Sequence, residues 1–173
     1  MYPDTEKVFC RINEQIHCEL DAWYTYLAMS TWCSKKFFPG FAKWFNSQAQ
    51  EEYMHAMKLR WYLVARGRVV NLKQIEKPQT EFASVVDLFE AALKHETENT
   101  RNIIEIFQFA FEEKAYASVT ELQWFSREQV EEEKTSETNL AHIKMVANDP
   151  AALLDLDKAF GVRESLFPVP ATV

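Results

Sequence analysis

The sequence predicts an all-α fold, a four-helix bundle with one long crossover plus a short fifth C-terminal helix. Three observations carry that expectation. Four long stretches repeat apolar residues at alternating spacings of three and four, the period of one helix face. Only three glycines interrupt 173 residues. The connections between the four stretches are short, long and short, in that order.

The first helix is expected from about Pro3 to Ser34, with the proline in the first turn, where its missing N–H is no loss. SKKFFPG ends it, and the second helix runs from about Phe41 to Ala65. The third begins near Glu81, capped by Thr80, and continues to about Glu113. The fourth covers about Tyr116 to Val146. After NDP, Ala151 to Phe160 forms the short fifth helix, and FPVPATV reads as an extended tail. One domain is expected over 1–173, with the bundle at about 3–146, the short helix at about 151–160 and a tail at 161–173.

Loop lengths set the topology. The first and last connections are a few residues each, which makes antiparallel neighbours. The middle one, from about Arg66 to Thr80, has roughly 15 residues at about 3.3 Å each, enough to travel along helices roughly 40 Å long. The second and third helices are therefore expected to run parallel.

Composition narrows the function. A net charge of −7 speaks against nucleic acid as a main partner, because phosphate binding needs a basic face. The apolar runs are too short to span a bilayer, so no membrane partner is expected. MYPDTEKV lacks the basic-then-apolar pattern of a secretory signal. Cys10, Cys18 and Cys33 share the first helix, and the nearest two are roughly 12 Å apart along its axis, beyond disulfide reach. Reduced thiols fit a cytoplasmic setting. A plastid or another organelle is the alternative if a transit peptide has been removed.

The apolar stripes each break at mid-height. The first reads Phe9, Ile12, Ile16, Glu19, Trp23, Tyr26; the second Phe41, Phe45, Gln48, Glu52, His55, Leu59. The third reads Phe82, Val85, Phe89, Ala92, Glu96, Asn99, Ile103, Ile106; the fourth Val119, Leu122, Phe125, Gln129, Glu132, Ser136, Leu140, Ile143. Each carries a glutamate near the middle of its helix, and helices packed side by side bring those midpoints to one level. An unpaired buried carboxylate costs several kcal/mol against a domain stability of about 5–15 kcal/mol. No Lys or Arg occupies a stripe position. Protonation, water or a multivalent metal must answer the charge, and four acids with a histidine favour the metal. Glu52 and His55, three apart, can converge on one ion. Hard oxygen donors suit iron or manganese better than copper, while zinc usually takes more nitrogen or sulfur.

INEQIHCELDAWYTYLAMS, GFAKWFNSQAQEEYMHAMK, the stretch around KHETENT, and LQWFSREQVEEEK carry a resemblance over nearly the whole chain. They resemble the non-haem ferritins, especially the bacterial-type ones. The resemblance implies a di-iron ferroxidase centre. Its high-affinity iron would take Glu19, Glu52 and His55; the weaker iron would take Glu52, Glu96 and, more loosely, Gln129. Tyr26 matches the tyrosine beside that centre, a redox and hydrogen-bonding neighbour. Glu51, Glu128 and Glu131 match the carboxylates of a third iron site, with Glu132 as its bridge.

The departures sharpen the implication. Rubrerythrins and haem-containing bacterioferritins carry a second Glu-x-x-His on the fourth helix; here that stretch offers Gln129 and Glu132. Tyr53 stands where bacterioferritins have a haem-ligating methionine, so no haem is expected. Val119 and Leu122 replace the acids of the animal three-fold channel. The implied activity is oxidation of Fe(II) by O2 or H2O2, with ferric mineral deposited inside a homo-oligomeric, 24-chain cage. The alternatives are a rubrerythrin-like di-iron peroxidase or oxygenase, a DNA-protecting mini-ferritin, and a metal-free structural bundle.

Overall fold

The computed structural model describes residues 6–162. Five helices follow one another: α1 (Glu6–Lys35), α2 (Pro39–Ala65), α3 (Val85–Glu112), α4 (Tyr116–Val146) and α5 (Pro150–Phe160). No strand occurs among the described residues, and none of their helices is long and apolar enough to cross a membrane. The expected helical turn at Pro3 and the FPVPATV tail lie outside them.

α1 packs along α2, α3 along α4, and α1 closes the bundle against α3. Hydrogen bonds give the relative direction of the last pair. Tyr26 reaches Glu96, Gln15 reaches Asn99 and Asn102 reaches Cys18, so α1 and α3 run antiparallel. α2 reverses α1 after a tight turn, and α2 and α3 are therefore parallel, as the loop lengths require.

The crossover, residues 66–84, can be followed up the side of α1. Arg68 pairs with Glu6 near the bottom, and Lys35 pairs with Glu81 near the top. Between them Asn13 pairs with the backbone of Asn71 in both directions, its amide donating to the carbonyl (3.0 Å) and its oxygen accepting from the N–H (2.9 Å). The His17 ring lies 2.8 Å from the same carbonyl.

The crossover is longer than the sequence suggested because Thr80 is not the cap of α3. Ser84 is: its hydroxyl accepts from the Asp87 N–H at 3.1 Å, and it donates to the Asp87 carboxylate at 3.0 Å. This reciprocal pair satisfies one of the free N–H groups of the first turn. Phe82, expected within the helix, precedes it and is buried edge-on against Trp32.

α1, α2 and α3 end in the same way. Phe37, Gly67 and Lys114 take positive φ, and the next N–H bonds back to the carbonyl five residues earlier: Phe38 to Cys33, Arg68 to Leu63, Ala115 to Ala110. The short α5 completes the start of α2, whose own N-cap, Phe38, has no side-chain oxygen to offer. Asp157 reaches across instead, accepting from the N–H groups of Gly40 (3.2 Å) and Phe41 (2.7 Å). A side chain at residue 40 would place its Cβ 1.6 Å from the Asp157 carbonyl oxygen, so this close approach needs glycine.

The apolar interior divides in two. One cluster, rich in aromatics, gathers Tyr26, Trp32, Phe41, Phe45, Phe89 and Ile143, with Phe160 of α5 packed on it. The other, mostly aliphatic, gathers Ile12, Ile16, Leu59, Leu63, Ile103 and Leu122. Neither cluster includes the mid-helix glutamates.

Candidate metal centre

A buried polar layer interrupts the apolar interior, and every long helix contributes to it. α1 supplies Gln15 and Glu19; α2 supplies Gln48, Glu52 and His55; α3 supplies Glu96 and Asn99; α4 supplies Gln129, Glu132 and Ser136. Glu19, Glu52 and Glu96 are 0% exposed, a rare placement for carboxylates.

The layer has two unlike sides. On the α1–α2 side, Glu19, Glu52 and His55 each present a ligand atom, and the three atoms lie within 4.8 Å of one another. His55 Nδ1 is 3.3 Å from Glu52 Oε2, while Glu52 Oε1 is buried without a hydrogen-bond partner. On the α3–α4 side, the carboxylates already have donors. The Tyr26 hydroxyl donates to Glu96 Oε1. The Gln129 amide lies 3.4 Å from Glu96 Oε2 and 3.2 Å from the Thr100 hydroxyl. Gln48 donates to Glu132 Oε2 at 3.0 Å.

Burial and mutual repulsion set the protonation of these acids. Glu52 is held well above the usual carboxylate range by burial, then by the charges of Glu96 and Glu19. Glu96 is pushed up to about 7 by burial, with the Tyr26 and Gln129 donors restraining the rise. Glu132 reaches about 7 through burial and the charges of Glu96 and Glu51, with His55 and Gln48 opposing. The Tyr26 phenol is held well above its ordinary value by burial, then by Glu96. Acids that keep protons at neutral pH must release them to accept a cation, so ion binding here is coupled to proton release.

The remaining residues singled out by the sequence are distributed around this layer. Tyr26 is fully buried on α1, stacked 6.0 Å from Phe45. Glu51 and Glu128 are half-buried and Glu131 is exposed; these three stand outside the compact Glu19–Glu52–His55 group. Tyr53 is exposed.

Residues not singled out as site residues hold the acids in place. Gln15 Nε2 donates to Glu19 Oε1 (2.8 Å) and to Asn99 Oδ1 (2.6 Å), while Asn99 Nδ2 donates to Glu19 Oε2 (3.1 Å). Trp124 sets its ring edge-on against His55, 5.4 Å between centroids. With Met54, Met57 and Trp61 it lines an open pocket of about 650 Å³ that has His55 in its wall. Asn99 and Gln48 did carry a signal, as amides interrupting an apolar stripe beside a glutamate.

Known proteins align with this arrangement. Residues 10–146 match the model of the ferritin-like domain family. The chain is 34% identical over 152 residues to a bacterial non-heme ferritin of Staphylococcus aureus, covering 88% of this chain and 92% of that one. It is 33% identical over 159 residues to the bacterial non-heme ferritin of Staphylococcus epidermidis, covering 92% and 96%. Among solved structures, an open pore ferritin from the archaeon Archaeoglobus fulgidus superposes with a TM-score of 0.91 at 36% identity, covering 93% of this chain and 99% of that one.

Proposed function

The chain belongs to the ferritin family, and from that premise we propose that it is an iron-storage subunit that oxidises Fe(II) in its buried polar layer. The observation that carries the reading is the convergence of Glu19, Glu52 and His55 within 4.8 Å, without a lysine or arginine among them. The same names, non-heme ferritin, attach to its relatives in two staphylococci.

Iron is the substrate. Glu19, Glu52 and His55 bind one Fe(II). Glu52, through its unpartnered oxygen, bridges to a second held by Glu96 and more loosely by Gln129. Two Fe(II) ions give one electron each to O2, which leaves as H2O2 after taking up two protons; H2O2 is the alternative oxidant. The carboxyl groups supply protons as they become ligands. Tyr26 holds Glu96 through its hydroxyl and lies close enough to exchange a proton with it. The product ions move on as ferric oxyhydroxide into the hollow of a 24-chain homo-oligomer. Glu51, Glu128 and Glu131, with Glu132 as bridge, form a third iron site beside the pair. No haem takes part, and the setting is a cytoplasm-like reducing compartment that keeps Cys10, Cys18 and Cys33 as free thiols.

Stopped-flow absorbance after mixing aerobic protein with a small excess of Fe(II), beside the Glu52→Ala variant, tests the reading. The expected result is a fast ferric phase that saturates with added iron and is nearly abolished in the variant. A fast phase of equal rate and amplitude in both proteins would contradict the bridging role, and none in either would sink the ferroxidase.

A further inference from the structure

We infer that Gln15 and Asn99 are positioning residues that hold Glu19 in its metal-binding orientation before any ion arrives and so make the α1–α2 side the first to load. The inference rests on the reading of Glu19 as an iron ligand.

The three side chains close a ring. Gln15 Nε2 spends one hydrogen on Glu19 Oε1 and the other on Asn99 Oδ1, and Asn99 Nδ2 returns to Glu19 Oε2. Each carboxylate oxygen thus receives one N–H and retains acceptor capacity for a cation. All three residues are buried, so water does not compete for these bonds. The amides have only one workable orientation, since a flipped Gln15 would set its oxygen against two acceptors.

A purely structural network would satisfy both ends of its members. This one does not: Gln15 Oε1 is buried without a partner. The glutamine is oriented for the benefit of Glu19 at the expense of its own carbonyl. Glu52 is the contrast, with one oxygen free and the other 3.3 Å from His55. A carboxylate with both oxygens held, beside one with an oxygen unclaimed, suits a terminal ligand beside a bridge. Asn99 also lies one turn beyond Glu96 on α3, which ties the orientation of the α1 ligand to the helix supplying the second side.

Anaerobic titration of the full-length protein with Co(II), read by calorimetry and by the d–d absorption of the bound ion, tests this against Asn99→Leu, Gln15→Leu and Glu19→Ala. The wild type should bind in two resolved steps, with Glu19→Ala losing the tighter. Both leucine variants should weaken the tighter step by roughly 10–100-fold and alter its absorption intensity, while the weaker step stays. Thermal midpoints should fall modestly, because each leucine leaves a buried Glu19 oxygen without its donor, and binding is compared in variants that still unfold cooperatively. If one leucine variant fails to fold, the other decides. Wild-type affinity and spectrum in a folded leucine variant, with Glu19→Ala still defective, would overturn the positioning role and leave the site standing. Unchanged binding in Glu19→Ala would overturn the ligand reading and this inference together.

Discussion

On the α1–α2 side of the polar layer, Glu19, Glu52 and His55 crowd within 4.8 Å and one carboxylate oxygen has no partner. On the α3–α4 side, Glu96 and Glu132 are also buried but already engaged by Tyr26, Gln129 and Gln48. Both sides contain acids in an apolar interior, yet only the first holds a buried carboxylate oxygen, Glu52 Oε1, without a partner among the described residues. The difference teaches where a cation has most to gain. An ion on the first side relieves repulsion and an orphaned oxygen; an ion on the second shares its carboxylates with donors already in place.

The largest expected effect exploits the shared burial of the two sides. Glu96 and Glu132 keep protons up to about 7 in the folded chain and lose them near the ordinary 4.5 when unfolded. The unfolded state therefore binds fewer protons between those values, and metal-free stability should fall as pH rises from about 4.5 through about 7. The loss is on the order of a few kcal/mol. Denaturation midpoints at pH 5 and pH 8 in the presence of a chelator would show it. Glu96→Gln should flatten the slope, and an added divalent ion should stabilise more at pH 8 than at pH 5. A midpoint that rises with pH in chelator would contradict the protonated layer.

The comparison breaks most cleanly with one variant on each side. His55→Ala should weaken the tighter divalent-ion step about 100-fold, some 2.7 kcal/mol. Gln129→Ala should weaken only the second step, by about threefold to tenfold, because a neutral amide is a poor ligand to lose. Equal losses in calorimetric titration would erase the asymmetry.

A smaller effect separates the layer from the scaffold around it. Gly40→Ala forces α5 off the start of α2, so it should lower stability by about 1–3 kcal/mol while leaving ion affinity within twofold. Chemical denaturation beside titration checks both halves of that statement. Smallest of all, Lys114→Gly relieves the left-handed turn between α3 and α4 and should raise stability by at most about 1 kcal/mol, read as a small rise in thermal midpoint.

The legibility of the molecule follows the kind of signal each part leaves. Helix periodicity is repeated over many turns, so α4 falls at Tyr116–Val146 as its stripe predicts. The buried glutamates were visible as single acids inside those stripes, and their common level follows from helix length. Capping depends on one or two residues, and Thr80 and Ser84 each stand ahead of a helical pattern. The decisive cue was Asp87, three residues after Ser84, which returns the hydroxyl contact. Asp157 was harder still: on a short helix an acid is expected to face water, and its partners, Gly40 and Phe41, lie more than a hundred residues away. Gln15 stayed hidden because it is offset from the chosen stripe and declares its role only through Glu19 and Asn99.

The most direct test of the unequal sides is an anomalous-difference map from crystals exposed anaerobically to less than one Fe(II) per chain. The account predicts the first peak among Glu19, Glu52 and His55, with density beside Glu96 and Gln129 growing only as more iron is added. A first peak beside Glu96 and Gln129, or equal peaks at the lowest loading, would contradict it.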